Sequence, residues 1–162
     1  MAEPLSGAEV LALLPQREPF RFVDEILEID DEHVVSRYTF RPEADFYRGH
    51  FPGNPITPGV LLIEAMAQTG VVALGISIVA RERGVEDVKR VLTVFTDVTA
   101  EFSGVVRPGD TVTISARKVF FRRMKLRSDV EMRLADGSLV ATATVAGMGV
   151  EAAAAAAGGG RP

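Results

Sequence analysis

From Val60 to Ala80 the chain runs for 21 residues in which Glu64 and Gln68 are the only charged or amide side chains. A helix of that composition has no polar face, so the rest of the chain must enclose it. Its length is enough to cross a bilayer. The two polar residues near its start, and an N-terminal flank without basic or aromatic anchors, favour a buried helix and no membrane insertion. The enclosing material has to come from a modest chain. At 162 residues there is enough for one domain with a real core, but not for two.

That material is β-like. Phe20 to Ile29 and Val34 to Phe40 read as a hairpin about the charged turn Asp30, Asp31, Glu32. Val91 to Val98, Phe102 to Val106 leading into Thr111 to Phe121, Met124 to Leu134 and Leu139 to Val150 read as further strands. Asp136 and Gly137 mark a tight two-residue turn between the last two. A short helix over Ala8 to Leu14 precedes them, and the long helix is expected to run from about Gly59 to Arg83 and stop at Gly84. The expected fold is α+β: a long central helix wrapped by a curved antiparallel sheet. One chain leaves the sheet edges open, and pairing two chains edge to edge continues the sheet across a dimer. Residues 1–150 are the expected single domain, and the Ala/Gly-rich stretch 151–162 a flexible tail.

Composition removes several kinds of function. The chain has no cysteine, so disulfides, thiolate chemistry and sulfur-ligated zinc are excluded, and with only His33 and His50 a histidine-rich metal site is excluded too. A net charge of −4 argues against general nucleic-acid binding. The N-terminus has no basic cluster ahead of an apolar stretch, so the expected location is cytoplasmic.

The chemistry concentrates between Gly49 and Gln68. His50 lies in a loop stiffened by Pro52, Pro55 and Pro58. Glu64 is a carboxyl group on an apolar helix, a setting that favours its neutral, proton-donating form. Gln68 follows one turn later on the same face, within reach of Glu64. Pro58 has no N–H, so Gly59 and Val60 supply the first free amides of the helix, a site for a developing oxyanion. A base, an acid and carbonyl-polarising amides within so short a span suit chemistry beside a carbonyl.

The run His50 to Gln68 resembles the signature of FabZ-type 3-hydroxyacyl-[acyl-carrier-protein] dehydratases, hotdog-fold enzymes of fatty-acid synthesis. The opening Leu13-Leu14-Pro15-x-Arg17-x-Pro19-Phe20 with Val23-Asp24, and the later Phe102 with Arg107-Pro108-Gly109-Asp110, are similar to other parts of that family. Glutamate at position 64, where FabA-type dehydratase/isomerases carry aspartate, resembles the FabZ side.

The resemblance implies that His50 removes the α-proton, Glu64 protonates the departing hydroxyl and the Gly59 amide polarises the thioester carbonyl. Val60 and Gln68 would complete the substrate site. It also implies a trans-2-enoyl product without metal or redox cofactor, and a homodimer or trimer of dimers whose sites draw histidine and glutamate from different subunits. Two other readings stay open: a hotdog-fold hydrolase or hydratase on coenzyme A thioesters, and an idle subunit that holds an acyl chain or a partner.

The chain departs from the family pattern at Gln16 and Glu18, usually His and Tyr, and at Glu101, Ser103 and Gly104, where a basic cluster is usual. Positive charge is found instead at Arg117, Lys118, Arg122, Arg123, Lys125 and Arg127. Arg122, Arg123 and Lys125 are the expected docking residues for an acidic acyl carrier protein.

Overall fold

The computed structural model describes residues 2–153. Helix α1, Gly7–Leu13, opens with a capping box: the Ser6 hydroxyl accepts from the Glu9 N–H at 3.3 Å, and Glu9 accepts from the Ser6 N–H at 2.8 Å. Strands β1, Glu25–Ile29, and β2, His33–Thr39, follow. Their turn forms because the Asp30 carboxylate accepts from the N–H groups of both Glu32 and His33. After a 3₁₀ turn at Asp45–Arg48 comes the long helix, Gly59–Arg83, in three pieces: α2 (Gly59–Ala67), a π turn (Gln68–Ala73) and α3 (Leu74–Arg83). It stops at Gly84, whose φ of 94° suits glycine, and a single turn α4, Val85–Val88, leads to the sheet.

Strands β3 (Val91–Phe102), β4 (Thr111–Arg122), β5 (Lys125–Leu134) and β6 (Leu139–Glu151) join β1 and β2 in one six-stranded antiparallel sheet, in the order β1-β2-β4-β5-β6-β3. The long helix lies against one face. Most of it is buried, so the apolar run is the core helix of the domain rather than an unaccompanied span. Polar groups pin its π turn to the sheet. The hydroxyls of Ser36 and Thr69 are 2.6 Å apart, and Ser128 donates to the Gly70 carbonyl at 2.6 Å. Gly70 itself is required, since a Cβ there would lie 2.7 Å from Val130. A close helix–sheet approach therefore depends on that glycine.

Four sequence expectations need correction. The segment from Phe20 enters the sheet only at Glu25, because the Phe22 N–H and the Phe20 carbonyl are bonded to the Gln68 side chain instead of a neighbouring strand. Val91 to Phe102 is one strand with a bulge between Phe95 and Asp97, and beyond it the Val106 carbonyl accepts from the Thr57 N–H, so no separate strand forms over Phe102 to Val106. The Asp136-Gly137 turn is present with φ of 87° at Gly137, but it spans Ala135 to Ser138. The two-residue turn is at Arg123 and Met124, both with positive φ, where a strand was expected to begin. Finally, β6 runs through Glu151 and the Ala152 N–H donates to the Arg90 carbonyl, so the chain is still tied down where the flexible tail was expected to start. The remainder of that expected tail lies outside the described residues.

Candidate active site

The loop that carries His50 is held from both ends. The His50 N–H donates to the Phe46 carbonyl at 3.0 Å and its carbonyl accepts from Ile56 at 2.8 Å. Below it, the Tyr47 and Thr57 hydroxyls are 2.6 Å apart, and burial raises the Tyr47 phenol above its ordinary range. The imidazole stacks on Phe51 with ring centroids 4.1 Å apart. Its Nδ1 lies 2.7 Å from the Ile56 carbonyl oxygen. A carbonyl can only accept, so Nδ1 carries the hydrogen, and it is Nε2 that is left to exchange a proton with a substrate.

Glu64 sits in the second turn of α2, where Gln68, one turn on, donates Nε2–H to its Oε1 at 2.9 Å. Gln68 is fully buried, its other N–H donates to the Phe20 carbonyl at 2.9 Å, and its Oε1 accepts from the Phe22 N–H at 2.7 Å. These bonds tie Gln68 both to the Glu64 carboxyl group and to the Phe20 segment. Glu64 heads a cavity of about 40 Å³ lined also by Gln16, Ala67, Thr93 and Phe95. Val71, Val72, Thr93 and Gly147 line both this cavity and a larger one of about 230 Å³ that runs between α3 and the sheet to Phe121 and Met124. Val71 lines the larger cavity, whereas Met66 and Leu74 are packed in the core.

At the start of α2 the first intrahelical donors are Leu61 and Leu62, both to the Pro58 carbonyl, so the Gly59 and Val60 amides stand at the open helix end. The Val60 side chain is 73% exposed. A Cβ on Gly59 would meet the Phe102 ring at 3.2 Å, so a neighbour from β3 closes on this glycine. Within one chain, His50 is not among the residues lining the Glu64 cavity. Sequence reasoning missed Phe102 over Gly59 and Gln16 beside Glu64. Neither is near the motif in sequence, and only the sheet and the α1 connection bring them there.

Arg122 and Arg123 are exposed at the β4–β5 turn. Lys125 and Arg127 both reach Asp97, at 3.2 and 2.8 Å, and Lys118 pairs with Glu32 at 2.5 Å. The free positive charge at this end is therefore smaller than the run of basic residues suggests, and it centres on the turn. Val119 and Phe120 lie exposed beside it, with Arg127 over the Phe120 ring.

A long buried helix laid across a six-stranded antiparallel sheet is the hotdog fold. Residues 14–146 match the FabA-like domain family. The 3-hydroxyacyl-[acyl-carrier-protein] dehydratase FabZ of Latilactobacillus sakei subsp. sakei (strain 23K) is 38% identical over 143 residues, covering 86% of this chain and 94% of that protein. The bifunctional enzyme LpxC/FabZ of Chlorobaculum tepidum is 41% identical over 135 residues, 82% of this chain, which spans only 27% of that longer protein. Among solved structures, the dehydratase heterocomplex ApeI:P from Xenorhabdus doucetiae superposes with a TM-score of 0.72 at 15% identity, over 94% of this chain and 95% of that one. The chain thus belongs to the FabA-like family, among its FabZ-type dehydratases.

Proposed function

We propose that the chain dehydrates 3-hydroxyacyl thioesters, carried on an acyl carrier protein, to trans-2-enoyl thioesters. The observation that carries this reading is the Glu64 carboxyl group, held by Gln68 at a small cavity that shares Val71, Val72, Thr93 and Gly147 with a larger one between helix and sheet. His50 Nε2 takes the α-proton, and the charge that moves onto the thioester oxygen is met by the Gly59 amide. The C–O bond at the β-carbon breaks with its electron pair on oxygen, Glu64 delivers its proton there, and water leaves. The imidazolium and carboxylate then exchange their proton difference with solvent.

The site is read as shared between two chains. β1 is a short edge carrying Glu25 and Glu28 with a bulge, a guarded edge. β3 is a 12-residue edge with Leu92, Val94, Phe95 and Val98 exposed, an edge suited to pairing with a second copy. Pairing there would account for a base that does not line its acid's cavity within one chain. Arg122, Arg123 and Lys125, beside exposed Phe120, are the proposed contact with the acidic carrier, and the burial of the long helix supports a soluble, cytoplasmic enzyme. His50→Ala and Glu64→Ala should each lower turnover by at least roughly a hundredfold, and mixing the two inactive variants under subunit exchange should restore part of it. Near-normal turnover in either variant would refute the assigned roles, and no recovery despite exchange would place the site within one subunit.

A further inference from the structure

Gln16 lies just past α1, and its Oε1 is buried without a hydrogen-bond donor among the described residues. It lines the same small cavity as Glu64. A buried amide oxygen left unpaired is costly, and such an atom in a native fold calls for a partner that arrives. A cavity of about 40 Å³ admits a group the size of a hydroxyl or one water. The neighbouring amide of Gln68 has given both its N–H groups to Phe20 and Glu64, so it offers no donor to this oxygen, and the Thr93 methyl group lies toward Gly147.

A hydroxyl presented to Glu64 has to turn its oxygen toward the acid's proton, so its own hydrogen points elsewhere and needs an acceptor. We propose that Gln16 is a substrate-binding residue whose Oε1 accepts the hydrogen of the 3-hydroxyl group that Glu64 protonates. This rests on the dehydratase reading above. When the C–O bond breaks, the oxygen keeps its original hydrogen, gains the Glu64 proton and becomes water, still bonded to Gln16 until it leaves. The site therefore selects 3-hydroxyacyl over saturated acyl groups. A site built to pair a hydroxyl disfavours the analogue that lacks it, because its own buried atom is then left unpaired.

The test compares affinity for 3-hydroxybutyryl and butyryl thioesters of N-acetylcysteamine by calorimetry, in the full chain carrying His50→Ala so that nothing is turned over. Turnover of the 3-hydroxy thioester by the unmodified chain is measured alongside. With Gln16 present, the hydroxy compound should bind about tenfold more tightly than the saturated one. Gln16→Met should abolish that preference while binding the saturated compound as before, and Gln16→His, which keeps a neutral acceptor nitrogen, should retain most of it. A preference kept in Gln16→Met, or lost equally in Gln16→His, would overturn the assignment. Absence of turnover by the unmodified chain would overturn the dehydratase reading beneath it, whereas turnover with an unchanged preference in Gln16→Met would overturn the role of Gln16 alone. If Gln16→Met does not fold, Gln16→Leu makes the same comparison.

Discussion

Replacing Gln68 by methionine keeps the length and volume of the side chain and removes every hydrogen bond it makes. Two of these are neutral, to the Phe22 N–H at 2.7 Å and the Phe20 carbonyl at 2.9 Å, and one goes to the Glu64 carboxyl group at 2.9 Å. With Glu64 in its neutral, proton-donating form each of the three bonds contributes about 0.5–1.5 kcal/mol, so the loss should be about 1.5–4.5 kcal/mol. For a chain of this size that lowers the melting temperature by about 3–18 °C. Turnover should fall as well, since Glu64 loses the donor that fixes its rotamer. The assays are thermal and urea denaturation at fixed protein concentration, with dehydration measured well below the new midpoint. A variant melting within about 2 °C of the unmodified chain would show that these bonds do not tie the Phe20 segment to the helix, because volume is conserved and little else changes.

Gly147→Ala would place a Cβ 2.7 Å from Val71 and 3.1 Å from the Val94 carbonyl, at a position that lines both cavities; stability should drop by about 1–3 kcal/mol, and activity on long acyl chains should fall more than on short ones in a chain-length series. Gly59→Ala should lose turnover by displacing the Phe102 ring 3.2 Å away, and adding Phe102→Leu should recover part of it; no recovery in the double variant would mean the amide approach alone requires glycine. Burial pushes the Tyr38 phenol up to about 12 from 10.0, so below pH 10 its contribution to stability is complete, and it is lost as pH rises toward 12 because the unfolded chain ionises first. Tyr38→Phe should therefore show a shallower fall in urea midpoint across that window. Reversing charge at Arg122 and Arg123 should lower the second-order rate constant on carrier-bound substrate, less so in high salt, and leave a small thioester unaffected.

The core helix and the number of long strands were legible because an apolar run without a polar face admits few surroundings. The same uniformity hid the π turn at Gln68–Ala73: a helix apolar all round has no stripe whose drift would betray an extra residue in a turn. His50, Glu64 and Gly59 were legible as a motif because proline, glycine and one carboxyl group stand out against such a background. Gln68 was visible as a neighbour of Glu64, yet its grip on Phe20 and Phe22 was not, and that grip is why the first strand starts late. The basic run misled in the other direction, because Asp97 and Glu32, which neutralise Lys125, Arg127 and Lys118, come from strands and turns distant in sequence.

β1 is short, acidic and bulged, whereas β3 presents a long apolar edge, and β3 also supplies Phe102 over the helix start and Phe95 and Thr93 to the Glu64 cavity. The strand left open to a second chain is thus the one that shapes both the proposed oxyanion amide and the proposed acid. Pairing a second copy along β3 would order the walls of the site in the same step that brings up the other chain's histidine. On that account dilution below the dimer dissociation constant should remove activity before it removes the fold, with turnover per chain falling while helical circular dichroism persists.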